Sequence, residues 1–188
     1  MKKLFITALV CLSLGNIQGF SQENVSSEKY GKTLNLGLGL GYYGYAGRTM
    51  PVIHADYEFD VARNFTLAPS LSFYSYRRSY YWGSNDRPFR YYNYRETVIP
   101  IGVKGSYYFD QLFKAGPKWD FYAAASLGAT IVKASWDSDY YGDKNVYSNP
   151  GVLFFDVHAG AEYHMNDKTG LYLDLSSGVS TFGLAVHF

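Results

Sequence analysis

The sequence predicts an all-β protein, an eight-stranded antiparallel up-and-down transmembrane β-barrel. Three observations lead there. Apolar and polar residues alternate with period two through eight segments, most of them roughly 9–11 residues long, the length of a tilted membrane-crossing strand. Aromatics make up 19% of the 188 residues, with 20 Tyr and 19 Gly, a composition that suits a sheet bounded by amphipathic rings at water interfaces. The charges within these segments fall on the face opposite the apolar one.

The chain opens MKKLFITALVCLSLGNIQGFSQ, with Lys2 and Lys3 ahead of an apolar run of 11 residues at 4–14. That run is too short to span a bilayer, and it reads as a secretory signal over residues 1–22. A short periplasmic segment follows at 23–32, then the barrel at 33–188. Cys11 leaves with the signal, so the mature chain has no disulfide, thiol nucleophile or thiolate metal site. Loss of Lys2 and Lys3 leaves 15 basic against 16 acidic residues. That balance demands no polyanionic partner, and nucleic acid is not expected.

The first segment, TLNLGLGLGYY, sets Leu34, Leu36, Leu38, Leu40 and Tyr42 against Asn35 and glycines. VIHADYEF sets Ile53, Ala55, Tyr57 and Phe59 against His54, Asp56 and Glu58. FTLAPSLSF sets Phe65, Leu67, Leu71 and Phe73 against Thr66, Ser70 and Ser72. TVIPIGVKGSYYF sets Ile99, Ile101, Val103 and Tyr107 against Pro100, Lys104 and Ser106. FYAAASLGATIV sets Phe121, Leu127 and Ile131 against Tyr122, Ser126 and Thr130. FFDVHAGAEYHM sets Phe155, Val157 and Tyr163 against Asp156, His158, Glu162 and His164. GLYLDLSS sets Leu171, Leu173 and Leu175 against Tyr172 and Asp174. TFGLAVHF sets Phe182, Leu184, Val186 and Phe188 against Gly183 and His187.

Period two does not say which face is out. The second face carries too many charges, and too much glycine, for a soluble core, so the apolar face is expected to meet lipid. Tyr42, Tyr57, Phe59, Phe65, Tyr107, Phe109, Phe121, Tyr163 and Phe188 would form its aromatic girdle. With the N-terminus in the periplasm, residues 43–50, 74–95, 135–151 and 176–180 face outward, and shorter turns at 60–64 and 166–169 face inward. The connection at 110–120 is longer than such turns usually are. Pro69 and Pro100 interrupt strands and are expected at bulges. Lys133, on the lipid face, is expected to snorkel.

The last segment ends on Phe188 with Phe182, Leu184 and Val186 in phase. This resembles the C-terminal signature that outer-membrane barrels present to their assembly machinery. With the signal and the eight alternating segments, the chain resembles the small OmpA/OmpX-like (porin-family) outer-membrane barrels of Gram-negative bacteria. The resemblance implies an outer-membrane location, extracellular loops, periplasmic termini and contact with lipopolysaccharide. It leaves activity open, because that family spans anchors, adhesion or resistance factors and lipid-modifying enzymes.

Two groups of residues are candidates for function. Residues 74–95 hold seven Tyr, one Trp, one Phe and five Arg against Asp86. Arg77, Arg78, Arg87 and Arg90 suit lipopolysaccharide phosphates on strands projecting above the membrane. Tyr80, Tyr81, Trp82, Tyr91 and Tyr92 would then extend the girdle, or serve with the arginines as a recognition surface for an extracellular protein or glycan. Asp137, Asp139 and Asp143 could pair with part of the Arg excess. Facing inward are His54, Asp56, Glu58, Lys104, Asp156, His158, Glu162, His164, Asp174 and His187. Eight strands leave room only for side chains, so these are expected to form a polar plug rather than a pore.

Rival readings are a narrow porin-like channel and a lipid A-modifying enzyme. The enzyme needs Ser beside His, and the sequence offers His54, at the outer end of its strand, no evident Ser partner. The stretch DSDYYGDKN at 137–145 departs from a calcium loop, with Tyr141 and Ser148 where ligands belong. No phosphate loop or paired-His zinc motif is present, so neither cofactor nor metal is expected.

Overall fold

The computed structural model describes residues 30–43, 48–109, 116–144 and 153–188. The signal segment, most of 23–32, and parts of the connections at 43–50, 110–120 and 135–151 lie outside the described residues. Eight strands run in order: β1 Lys32–Tyr43, β2 Arg48–Ala62, β3 Phe65–Ser84, β4 Arg87–Tyr108, β5 Trp119–Trp136, β6 Leu153–Asn166, β7 Thr169–Ser176 and β8 Val179–His187. Each pairs antiparallel with its neighbour, and β1 closes on β8 from Thr33–His187 to Gly41–Val179. Closure removes the free sheet edges of the barrel wall, so the ladders can satisfy the wall's backbone groups without water.

The apolar face points out. Leu38, Leu40, Ile53, Leu127, Phe155 and Phe182 are all exposed, in a continuous band around the barrel. No soluble surface of this size carries such a band. Toward the short turns the band ends in rings: Tyr57, Tyr107 and Phe188 are exposed, and Trp119 stacks on Phe121 and meets Tyr163 at a tilt. On β8, Phe182, Leu184 and Phe188 are exposed and Val186 is half-buried.

The short turns follow from their residues. Asn64 adopts φ 59° between β2 and β3, a left-handed position that Asn tolerates. Between β6 and β7, the Asn166 side-chain oxygen accepts from the backbone N–H of Lys168 at 2.9 Å and of Thr169 at 3.0 Å, an Asx turn. The expected bulges at Pro69 and Pro100 do not occur. Register runs unshifted past both, from Asp56–Ser70 to Phe59–Leu67 and from Leu71–Ile101 to Tyr74–Val98. On these ladders the pairs that would contain the prolines are skipped, while Pro69–Val103 and Pro100–Thr130 hold on the other flank, so each missing N–H costs a one-sided gap and no extra residue. Shifts fall instead near Asp60–Ala62, Trp82–Ser84 and His164–Asn166, beside turns.

The connection at 74–95 takes the form of strands projecting beyond the barrel. This segment continues β3 and β4 as a paired ribbon, with only Asn85 and Asp86 outside the strands. Between Tyr94, its last pair with β5, and Arg87 the ribbon projects roughly 23 Å. Its partner segment is shorter than expected, since β5 runs to Trp136.

Inside, the barrel is layered. Charges fill the middle, while Met50, Val52, Tyr74, Tyr76 and Val98 form an apolar layer toward the ribbon. Large rings are accommodated by glycine on the neighbouring strand. Tyr122 lies over Gly160, where a Cβ would sit 2.1 Å from the ring, and Phe154 lies over Gly128.

Candidate functional site

The middle layer is built around Lys104 on β4. Its Nζ donates to Asp56 Oδ2 at 3.2 Å and to Asp174 Oδ2 at 3.4 Å, carboxylates supplied by β2 and β7. Each carboxylate has a histidine and a serine behind it. On one side, His54 Nε2 meets Asp56 at 3.0 Å and Nδ1 meets Ser72 Oγ at 2.7 Å. On the other, His158 Nδ1 meets Asp174 at 2.7 Å and Nε2 meets Ser126 Oγ at 2.9 Å. Asn35 donates to Asp56 and Tyr122 to Asp174, both at 2.9 Å. Two Ser–His–Asp chains thus converge on one ammonium. Asp56, Asp174 and Lys104 are all buried, so the charges persist only because each has partners on several sides.

This corrects the expectation that His54 lacks a serine. His54 lies at mid-strand opposite Ser72, not at the outer end. The two hydroxyls and imidazoles line a cavity of about 320 Å³ that reaches Ser177 and Gly178 at the β7–β8 turn. Serine, base and orienting acid in this order are the parts of a hydrolase. The wall around them is committed to strand ladders, which leaves the backbone N–H groups of β5 engaged rather than aimed at a developing oxyanion.

The other inward candidates separate into smaller groups. Glu58 accepts from Thr66 and from Tyr108. Glu162, His164 and His187 meet at the short-turn rim with Asp120. Asp156 is apart from all of these, accepting from Ser177 Oγ at 3.1 Å. Glu96, absent from the sequence-derived set, is buried and accepts from Tyr76. It lies on the Lys104 parity, but it falls between the expected loop at 74–95 and the alternating segment that starts at Thr97.

The ribbon sorts the remaining candidates onto two faces. Tyr80, Trp82 and Tyr92 turn toward the segment after β5 and pack around Tyr140, which is 1% exposed. Trp136 stacks on Tyr140 at 4.1 Å and on Tyr94 at 4.6 Å. The Asp137 backbone N–H donates to the Asn93 carbonyl at 3.1 Å, and the Asn93 backbone N–H donates to the Asp137 side-chain carboxylate at 3.1 Å. Arg90 forms an ion pair with Asp139, and Arg87 lies 3.8 Å over the Tyr141 ring. The Arg90 guanidinium is held above its ordinary value, first by its hydrogen bond with Tyr92 and then by the charge of Asp139. Arg78 is half-buried.

The opposite face carries Arg77, Tyr81 and Tyr91, with Phe89 and Arg95. Tyr81 sits 4.9 Å from Tyr91 and 5.8 Å from Phe89, and the three are 54%, 71% and 62% exposed. Below them Arg77 pairs directly with Arg95, and Lys133 stands opposite Thr97.

Closed antiparallel topology, eight strands, an apolar outer band and a charged interior define a transmembrane β-barrel of the outer-membrane type. The crystal structure of Neisserial surface protein A (NspA) has this fold, with a TM-score of 0.53 at 13% identity over 84% of this chain and 96% of that one. The N-terminal β-barrel domain of Pseudomonas aeruginosa OprF gives 0.49 at 14% identity, covering 85% and 97%. Ail, the attachment invasion locus protein of Yersinia pestis, solved with the heparin analogue sucrose octasulfate, gives 0.44 at 12% identity, covering 84% and 96%. No known family and no curated protein matches the sequence.

Proposed function

We propose that this chain is a non-enzymatic outer-membrane barrel whose ribbon, outside the cell, docks an extracellular protein or glycan. The supporting observation is the exposed Tyr81–Phe89–Tyr91 face on a ribbon whose other face is fixed to Trp136 and Tyr140. Rigid aromatic surface binds with little further ordering cost. Arg77, Arg95 and Lys133 lie between these rings and the lipid band, where lipopolysaccharide phosphates fit their charge. β8 presents Phe182, Leu184, Val186 and Phe188 to the barrel-assembly machinery, and both mature termini lie in the periplasm.

The test is binding of whole cells to host-cell extracts and a glycan array. Tyr81→Ala with Tyr91→Ala should abolish binding while the folded band on unboiled gels stays in place. Equal binding by both strains refutes the docking face. A hydrolytic reading is favoured by the Ser126–His158–Asp174 chain, and mass spectrometry of lipid A from cells with and without the protein decides it. The non-enzymatic reading expects identical spectra.

A further inference from the structure

We infer that the short-turn rim is a divalent transition-metal site, with His164 and Glu162 of β6 and His187 of β8 as ligands. One donor atom from each lies within 4.8 Å of the others. Glu162 Oε1 is 2.7 Å from His187 Nε2 and 3.8 Å from His164 Nδ1. A tetrahedral zinc ion places neighbouring ligand atoms about 3.4 Å apart. These two separations straddle that spacing and the third is within 4.8 Å, so modest side-chain adjustment brings all three atoms onto one ion.

The residues behind the ligands point the same way. His164 turns its other nitrogen, Nε2, to Asp120 Oδ2 on β5 at 2.7 Å. His187 turns Nδ1 to Thr33 Oγ1 on β1 at 2.9 Å. In metal sites a ligating imidazole is oriented in this manner, with the second nitrogen on a carboxylate or another fixed oxygen. Here it happens twice, and in both cases the nitrogen that remains faces Glu162. The Glu162 carboxylate gets its place from Gly170, where a Cβ would lie 2.1 Å from Oε1. The His164 side chain is 26% exposed, against 15% for His187 and 9% for Glu162. The fourth position therefore faces the mouth, leaving it to water or a small ligand.

Two imidazoles and one carboxylate suit zinc and neighbouring borderline divalent ions better than calcium or magnesium. The ion would join β6 to β8 across β7, with Asp120 and Thr33 extending the tie to β5 and β1. It would brace the seam where β8 closes on β1.

The experiment is calorimetric titration of the untagged, detergent-folded barrel with Zn²⁺, together with the visible spectrum of the Co²⁺ form. One equivalent should bind, and Co²⁺ should give the intense absorption of four-coordination. His164→Gln and His187→Gln should each abolish this binding. Asp120→Asn and Thr33→Val should weaken it about 10–100-fold, and His54→Gln should leave it unchanged. Gel mobility checks the folding of every variant, and His164→Gln, at the exposed edge, decides the matter if His187→Gln does not fold. Zn²⁺ binding that survives in His164→Gln, or is absent from the parent barrel, overturns the site.

Discussion

The lumen at membrane height and the ribbon beyond it solve the same problem with opposite materials. In the lumen, Lys104 holds two buried carboxylates, each with an imidazole and a hydroxyl behind it. In the ribbon, rings around Tyr140 do the holding, and ion pairs such as Arg90–Asp139 sit at the exposed margin. The difference follows from what each wall already supplies. Eight closed strands satisfy their own backbone and can accept charged contents, provided every charge is matched. Two strands alone are marginal in water, so the ribbon needs apolar area, and Tyr and Trp supply it at little entropic cost.

Removing the central cation is the sharpest way to break this comparison. Lys104→Met leaves Asp56 and Asp174 buried without their ammonium and should cost about 3–5 kcal/mol, read from urea unfolding of the reconstituted barrel. Tyr140→Ala should lower the opening free energy of the ribbon by about 3 kcal/mol while the barrel midpoint hardly moves. Hydrogen exchange at Tyr92 and Tyr94 measures the first quantity and the gel shift the second. If the whole barrel loses stability instead, the two regions are one cooperative unit. Gly160→Val should cost about 1–3 kcal/mol by overpacking against Tyr122, and adding Tyr122→Ala should recover part of that loss. The smallest effect belongs to Arg90→Ala, which breaks an exposed pair. The urea midpoint should not shift, whereas a clear loss would make charge, not ring packing, the ribbon's support.

The lipid-facing stripe was legible because Leu, Ile and Phe alternate there with Gly, Ser and charge, and the bilayer enforces that contrast. The ribbon was not. Tyr, Trp and Arg occupy both of its faces, so Tyr80 and Tyr81 look alike in sequence although one packs on Trp136 and the other is exposed. The inward set, from His54 to His187, shares one parity within each segment of the sequence, but its partnerships were hidden there. Ser72 and His54 are 18 residues apart, and Ser126 and His158 are 32 apart. Which residues meet depends on strand stagger, and shifts such as Asp60–Ala62 move it by one residue. The rim histidines had a faint signal, since 162 and 164 share a face on β6, but their junction with His187 needs β8 to return two strands away.

The ring that lies over a glycine makes two positions hold one volume. Tyr122 fills the space that a side chain at Gly160 would need, so neither residue is free to drift by itself. Over evolutionary time such a pair should covary. A lineage that acquires a side chain at 160 is expected to shrink residue 122 as well, and the interior would then record its history in coupled substitutions across the β5–β6 seam.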